Sequence, residues 1–215
     1  MLIKQIRRSI VYSSGLGFLI VCSLIFRLLP EFLLYEFAKV LALFGYMLGA
    51  KFRRIALENL TAALGSDKTP EQIRRIALDC FLSIAKTGSE CVFALGKPHS
   101  YVMNKYDLVN RQYLDSALAR GKGVILVGAH FGNFPMMVVR LACEGYKAAA
   151  IMRPLKDPRV EAFLSGERDR YRVHTIKSIP RKACVVDTIR CLRNNEVVFL
   201  PLDQNFGTGG VFVNF

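Results

Sequence analysis

The carboxyl half of the chain alternates between short apolar runs and amphipathic segments, and this alternation constrains the fold most. The run Gly123–Gly128 (GVILVG) is continuous, apolar and bounded by glycines, which is typical of a buried strand. Three further strands are predicted at 148–152, 174–176 and 197–202, with helices at 113–119, 134–145, 158–171 and 181–193. This order predicts an α/β fold with a mostly parallel sheet flanked by helices on both faces.

The amino end carries a long uncharged segment. Residues 9–26 contain no charge and follow Lys4, Arg7 and Arg8. At about 1.5 Å per residue they form roughly 27 Å of helix, close to the ~30 Å of a bilayer's hydrocarbon core. We therefore expect a hydrophobic membrane-anchor segment over residues 1–30, which either spans or only enters the bilayer. A buried helix of the globular part is the alternative.

The middle of the chain reads as helices. Residues 31–50 place apolar side chains around most of a helix's circumference, and residues 52–64 repeat apolar positions at three- and four-residue spacing. Thr69, Pro70 and Gln72 form a capping-box start for a helix that runs toward Leu95. We therefore expect one domain over 31–215, with a helical part at 31–100 and an α/β part at 101–215.

Composition narrows the classes of function. The 215 residues are 52% apolar and carry a formal charge of +13, which excludes disorder and favours a membrane surface or an acidic partner. Nucleic-acid binding rests on charge alone and is not expected. The six cysteines include no C-x-x-C pair and lie far in sequence from the histidines, so we expect no metal, no cofactor and a reducing compartment.

The residues that follow the first predicted strand are of types that occur in catalytic sites. His130 stands at the carboxyl end of the strand, Gly132 allows close approach of a ligand, and Asn133 is placed to cap the next helix. Ligands of parallel sheets bind beyond the carboxyl ends of the strands. An imidazole beside the N–H groups of a helix start is suited to deprotonating a hydroxyl and stabilising an oxyanion. A histidine that only holds a tight turn is the alternative.

Other strand ends add a cation, an acid and an amide. Arg153 follows the second strand, Arg168 lies in the helix after it, and Asp203 with Gln204 follows the last strand. Each alone is also typical of a solvated loop or a turn. Together they indicate a site built across several strands, in which we expect Asp203 to lie within hydrogen-bond reach of His130.

Four segments carry a resemblance to a known family. They are GKGVILVGAHFGNF (121–134), the Arg153-Pro154 pair, the RDRYR stretch from Arg168, and PLDQN with GVFV (201–213). In order and spacing they resemble the lipid A biosynthesis acyltransferases of Gram-negative bacteria, the lauroyl and myristoyl transferases of the lysophospholipid acyltransferase superfamily. The amino-terminal hydrophobic segment and RRIALENL (53–60) are also similar, so the resemblance covers most of the chain.

The resemblance implies an acyltransferase at the cytoplasmic face of the bacterial inner membrane. Such an enzyme moves a fatty acyl group from acyl carrier protein or coenzyme A to a hydroxyl of a phosphorylated glycolipid, the lipid A precursor. It implies His130 as the catalytic base, Arg153 and Arg168 as basic positions, and Asp203 with Gln204 as the Asp-Gln pair. We therefore expect His130 and Asp203 to be catalytic, and the substrate-binding residues to be Gly132, Asn133, Arg153, Arg168 and Gln204. The implied partners are the thioester donor, the glycolipid acceptor and membrane lipid.

Two features depart from the family pattern. The family's H-x4-D/E motif has Pro135 in place of its acid, so Asp203 or a backbone carbonyl is expected to orient His130. The sequence ends soon after GVFV, and we expect a chain truncated at its carboxyl end. A glycerophospholipid acyltransferase, and a non-catalytic membrane protein that binds lipid, remain the alternatives.

Overall fold

The computed structural model describes residues 17, 19–26 and 29–204. The chain divides into two compact units, with the boundary between Leu95 and Gly96. The unit before this boundary is helical, and the described part of the unit after it holds both helices and the sheet. The strand ends that carry the predicted site therefore belong to one unit.

Three long helices form most of the helical unit. They are α1 (Glu31–Leu48), α2 (Ala50–Leu64) and α3 (Pro70–Ala94), and residues 17 and 19–26 are also helical. The predicted capping box of α3 is confirmed, because the Gln72 N–H donates to the Thr69 hydroxyl (3.3 Å) and the Thr69 N–H donates to the Gln72 side chain (2.9 Å). These bonds satisfy donors that a helix start leaves unpaired, so α3 begins sharply.

Small side chains line the contact between α1 and α3. Ala38 and Ala42 of α1 pack with Ala85 of α3, and Phe81 and Leu82 close the cluster. Interaxial distance depends on the side chains at the contact, so alanines allow these two helices to approach closely.

The carboxyl end of α1 is capped by a side chain of the next helix. The Arg53 guanidinium donates to the carbonyls of Tyr46 (2.6 Å) and Met47 (3.0 Å). These carbonyls belong to the last turn, where a helix lacks intrahelical donors. Arg53 is therefore bound to the backbone of its own chain.

The predicted anchor lies mostly outside the described residues. Of residues 9–26, the structure describes 17 and 19–26. Among the described residues, no single helix has both the length and the apolar composition to cross a bilayer. α1 and α2 meet that test only as a pair, and the pair is bent by 89°.

The α/β unit follows the predicted alternation. Its described helices are α4 (His99–Lys105), α5 (Arg111–Leu118), α6 (Phe134–Cys143), α7 (Pro158–Arg170) and α8 (Arg181–Arg193). Its described strands are β1 (Val124–Gly128), β2 (Ala148–Met152), β3 (His174–Lys177) and β4 (Val197–Pro201). The sequence pattern did not predict α4, and the ends of the other elements lie within about two residues of their predicted positions.

The four strands form one parallel sheet in the order β1-β4-β2-β3. The parallel sheet is therefore confirmed. Its order places the first and last strands side by side, with Val124 opposite Val197 and Gly128 opposite Pro201. The carboxyl ends of β1 and β4 consequently meet at one edge of the sheet.

Helices pack on both faces of the inner strands. On one face Cys191 of α8 joins a cluster with Ala149, Ile176 and Val198. Phe199 points to the other face, because side chains alternate along a strand, and there it stacks on Phe134 of α6. A Cβ on Gly128 would lie 2.5 Å from the buried Phe199 ring, so a larger residue at the end of β1 would have to displace that ring.

β1 is not the buried strand that its sequence predicts. It is the edge strand of the described sheet, and Ile125 and Val127 on one of its faces are 51% and 60% exposed. α8 contacts β4, the neighbour of β1, and β3, the strand at the opposite side of the sheet. Within the described part of the chain, this face of β1 is therefore partly exposed, contrary to the expectation of helices on both faces.

Candidate active site

His130 and Asp203 meet because their strands are neighbours. Each residue lies two positions beyond a paired strand end, at Gly128 and Pro201. The Leu202 N–H donates to the Gly128 carbonyl at 3.1 Å and extends the pairing by one residue. Two residues that are 73 positions apart are thus held side by side at the carboxyl edge of the sheet.

The Asp203 carboxylate binds His130 at two points. Its Oδ1 lies 2.8 Å from the imidazole Nδ1, and its Oδ2 accepts the His130 backbone N–H at 2.8 Å. The predicted approach of Asp203 to His130 is confirmed by this geometry. Hydrogen bonds from the His130 side chain and then from its backbone lower the pKa of Asp203, so the carboxylate is ionised at neutral pH.

This pairing leaves the second ring nitrogen available. An ionised carboxylate only accepts hydrogen bonds, so in the neutral imidazole of His130 the proton lies on Nδ1 and the lone pair on Nε2. The His130 side chain is 33% exposed, so the ring is open to a ligand rather than enclosed by packing.

Aromatic contacts fix the orientation of the His130 ring. Phe134 meets the imidazole edge-on at a centroid distance of 4.9 Å. Phe134 is itself stacked on Phe199 of β4 at 6.0 Å. The orientation of His130 is therefore set by Asp203 and by packing that reaches the centre of the sheet.

The loop after His130 has the conformation that its sequence suggests. Gly132 has a φ of +57°, in the left-handed region, and a Cβ there would meet no atom within 4 Å. The Asn133 side chain accepts the Met136 N–H at 3.3 Å, which confirms Asn133 as the helix cap. Its amide nitrogen donates to the Tyr106 hydroxyl at 3.4 Å.

The start of α6 offers fewer oxyanion donors than expected. Pro135 has no N–H, and the N–H of Met136 is bound by Asn133. The sequence could place these residues in the first turn, but it could not show which donors the cap occupies.

Arg153 and Gln204 are exposed at the same edge of the sheet. Gln204 directly follows Asp203. Arg153 follows β2, which lies on the far side of β4 from β1. With neighbouring strands about 4.8 Å apart, the Arg153 backbone is roughly 10 Å from the strand that carries His130. A substrate longer than one sugar or glycerol unit can contact both.

Arg168 binds side chains of its own helix, α7, and of the strand that follows it, β3. Its Nε donates to the Thr175 hydroxyl at 2.9 Å and its Nη2 to Glu161 at 2.6 Å, and the side chain is 18% exposed. These contacts join α7 to β3. A role for Arg168 in substrate binding stays a prediction.

An exposed large apolar residue lies in each loop that follows a strand. We call this set the apolar rim; it comprises Phe131, Leu155, Ile179 and Leu202. Phe131, beside His130, is the most exposed of them at 86%. Sequence reasoning missed the rim, although a large apolar residue within four positions of each strand end was a visible signal.

A second cluster of reactive side chains lies at the opposite, amino-terminal edge of the sheet. His174, Cys191 and Glu196 place one potential metal-ligand atom each within 4.8 Å of one another. The expectation that histidine and cysteine lie too far apart in sequence to share a site overlooked this approach. Only the pairing of β3 with the sheet brings these residues together.

Comparison with known proteins gives one family. A family model described as bacterial lipid A biosynthesis acyltransferase matches residues 4–215. No curated protein matches the chain. The family match includes both units and all of the residues described above.

Proposed function

We propose, from the premise that the chain belongs to the bacterial lipid A biosynthesis acyltransferase family, that His130 is the general base of its reaction. The family makes the chain an acyltransferase that acts on lipid. We further propose that the donor is an acyl carrier protein or coenzyme A thioester. The proposed acceptor is a hydroxyl of a phosphorylated glycolipid, the lipid A precursor.

One observation carries the catalytic proposal. Nδ1 of His130 faces an ionised carboxylate at 2.8 Å, which leaves Nε2 as a proton acceptor on a partly exposed ring. A base oriented by a third group is the arrangement that nucleophilic acyl transfer uses.

The proposed reaction needs no redox partner and no metal-bound nucleophile. The acceptor hydroxyl attacks the thioester carbonyl carbon while its proton passes to Nε2 of His130, so a C–O bond forms and the carbonyl oxygen becomes an oxyanion. The intermediate then collapses, the C–S bond breaks, and the leaving thiolate takes the proton back from the imidazolium. The products are an ester and a free thiol.

The family motif has an acid at the position where this chain has Pro135. In this proposal, Asp203 takes over the role of that acid. The carboxylate keeps the proton on Nδ1 and stabilises the imidazolium once the proton arrives. Its second bond, to the backbone N–H of His130, fixes the distance between the two strand ends. Asp203 is thus a positioning residue, because it acts through His130.

The apolar rim supports a reaction at a membrane surface. Exposed cations lie near two of its four residues. Arg153 and Lys156 are in the loop of Leu155, and Lys177, Arg181 and Lys182 lie at the end of β3 and the start of α8, on either side of Ile179. Each cation near an anionic leaflet gains about 1 kcal/mol. Apolar side chains next to cations favour insertion into the headgroup region, which would bring His130 to lipid-borne substrates.

Two further observations fit the proposed location, the cytoplasmic face of the bacterial inner membrane. The helical unit exposes apolar side chains along the carboxyl half of α1, namely Leu43, Phe44, Met47 and Leu48. None of the six cysteines, all of which lie in the described part of the chain, forms a disulfide, and this fits a reducing compartment. An acidic carrier protein would also be attracted by the charge of +13.

The decisive experiment supplies labelled acyl carrier protein thioester with two acceptors, a lipid A precursor and a lysophospholipid. We expect label in the lipid A precursor with wild type and none with His130→Ala. His99→Gln is the matched control, because His99 contacts the Arg170 carbonyl, away from the Asp203 pair. Transfer only to the lysophospholipid would assign a glycerophospholipid acyltransferase, and binding without transfer a non-catalytic lipid-binding protein.

Membrane docking is tested by cosedimentation with vesicles. We expect stronger binding to vesicles that contain phosphatidylglycerol than to phosphatidylcholine alone, and weaker binding for Phe131→Asp. The control Ile189→Asp removes an exposed apolar residue from the body of α8. Equal binding by wild type and Phe131→Asp would exclude the apolar rim as the docking surface.

A further inference from the structure

We propose that His174, Cys191 and Glu196 form a zinc site at the amino-terminal edge of the sheet, distinct from the His130–Asp203 pair. His174 is the first residue of β3, Cys191 lies in the last turn of α8, and Glu196 directly precedes β4. The catalytic pair lies at the carboxyl ends of β1 and β4, so this proposal does not depend on the proposed function.

The ligand atoms are spaced for a tetrahedral ion. The Cys191 Sγ lies 3.5 Å from the His174 Nδ1, and a Glu196 oxygen lies 3.8 Å from that nitrogen. With zinc bonds of about 2.3 Å to sulfur and about 2.0–2.2 Å to nitrogen and oxygen, tetrahedral geometry requires ligand separations of roughly 3.4–3.6 Å. No pair among the three atoms exceeds 4.8 Å, so each pair needs to approach by little more than about 1 Å to reach these separations.

The backbone holds the three ligands in place. Cys191 is 1% exposed and packs with Ala149, Ile176 and Val198 at the centre of one sheet face. The Glu196 N–H donates to the Cys191 carbonyl at 3.0 Å. His174 is paired with Ala149 in the sheet register. The site is therefore built on rigid elements, which a metal site requires.

The chemistry of the donors selects the metal. A thiolate, an imidazole and a carboxylate are the three ligand types that zinc takes in proteins. The thiolate and the carboxylate together neutralise a divalent cation, so the occupied site carries no net charge. This set is unsuited to Mg²⁺ or Ca²⁺, which prefer oxygen ligands alone.

The site has an entry path and room for a fourth ligand. A cavity of about 260 Å³ is lined by His174 and Glu196, and also by Lys147 and Arg172. Water or a small anion in this cavity completes the coordination, and the two cations favour an anion. Bound zinc would tie the carboxyl end of α8 to the starts of β3 and β4.

Cobalt substitution tests the site directly. The full 215-residue chain is stripped of metal with EDTA and titrated with Co²⁺ under reducing, oxygen-free conditions. We expect about one Co²⁺ per chain, a thiolate-to-cobalt charge-transfer band in the near ultraviolet, and strong visible bands that mark four-coordination. Zinc should displace the cobalt, and elemental analysis should then find about one zinc per chain after gel filtration.

Variants assign the ligands. Cys191→Ser should abolish the charge-transfer band, and His174→Gln and Glu196→Gln should each weaken zinc binding by more than the roughly tenfold loss typical of an outer-shell partner. Cys184→Ser is the matched control, because this thiol lies in the same helix and packs against the same cluster. Circular dichroism of each metal-free variant checks the fold.

Two results would overturn the proposal. One is a wild-type titration without the charge-transfer band, which needs no variant to fold. The other is a band that persists in Cys191→Ser, which would place the bound cobalt on another cysteine.

Discussion

Replacing Asp203 by asparagine tests the His130–Asp203 pair more sharply than removing either side chain. The carboxylate accepts two hydrogen bonds from His130, one from Nδ1–H and one from the backbone N–H. An amide has one acceptor oxygen and one NH₂ group, so it can satisfy only one of these donors. If the NH₂ faces the ring, the imidazole must take the other tautomer, and Nε2 can no longer accept a proton.

The expected loss follows from the exposure of the pair. A general base raises the reaction rate by about 10²–10⁴-fold, and asparagine in place of the buried aspartate of a catalytic triad lowers kcat by about 10⁴-fold. Here the His130 and Asp203 side chains are 33% and 37% exposed, so water and salt screen their interaction. We therefore expect kcat to fall by about 10²-fold with KM changed by less than about threefold.

The assay is the initial rate of labelled acyl transfer from the thioester donor to the glycolipid acceptor. His130→Ala should lose about 10³-fold, and the double variant His130→Ala/Asp203→Asn should be no slower, because residues that act as a unit are not additive. Asp169→Asn, an exposed carboxylate on α7, is the control. A rate for Asp203→Asn close to wild type, or multiplicative losses in the double variant, would refute the reasoning.

Three further expectations concern stability. Hydrogen bonds from His130 hold the pKa of Asp203 below its ordinary value of about 3.9. The pair therefore stabilises the fold at pH values above about 3.9, and this contribution is lost as the pH falls through the lowered pKa. The Tm of Asp203→Asn should consequently drop less on acidification than the Tm of wild type. Gly128→Ala places a Cβ 2.5 Å from the Phe199 ring, and urea unfolding should show that the free energy of unfolding falls by about 1–3 kcal/mol. In the control Gly166→Ala the new Cβ meets no atom within 4 Å, so this variant should not be destabilised. Equal effects of the two substitutions would contradict the packing argument. Thr69→Ala removes one half of the α3 capping box and should cost about 1 kcal/mol in the same measurement, and an unchanged unfolding midpoint would show that the cap contributes nothing.

Local signals predicted most elements of the α/β unit. β2 and α8 have the bounds that their glycines, prolines and apolar runs predict. The Thr69 capping box fixed the start of α3, because the bonds that form it lie within one turn. α4 was missed, since seven residues with no clear apolar period give a pattern little signal.

The features that could not be predicted from the sequence depend on the order of the strands in the sheet. The apolar run of β1 is compatible with both a central and an edge strand, and only the sheet order shows that Ile125 and Val127 are exposed. The approach of Asp203 to His130 was predicted from the rule that ligands bind at strand ends, and it holds because β4 lies beside β1. The contacts of Arg168 with Glu161 and Thr175 could not be read from a linear motif.

The neighbouring positions of β1 and β4 have a consequence during synthesis on the ribosome. The oriented imidazole requires a carboxylate 73 residues further along the chain, and β2, β3 and the helices between them are all translated first. A nascent chain that has emerged only as far as β3 therefore carries His130 without its partner. Completion of the sheet and orientation of the imidazole are therefore the same event, because both require β4 to lie beside β1.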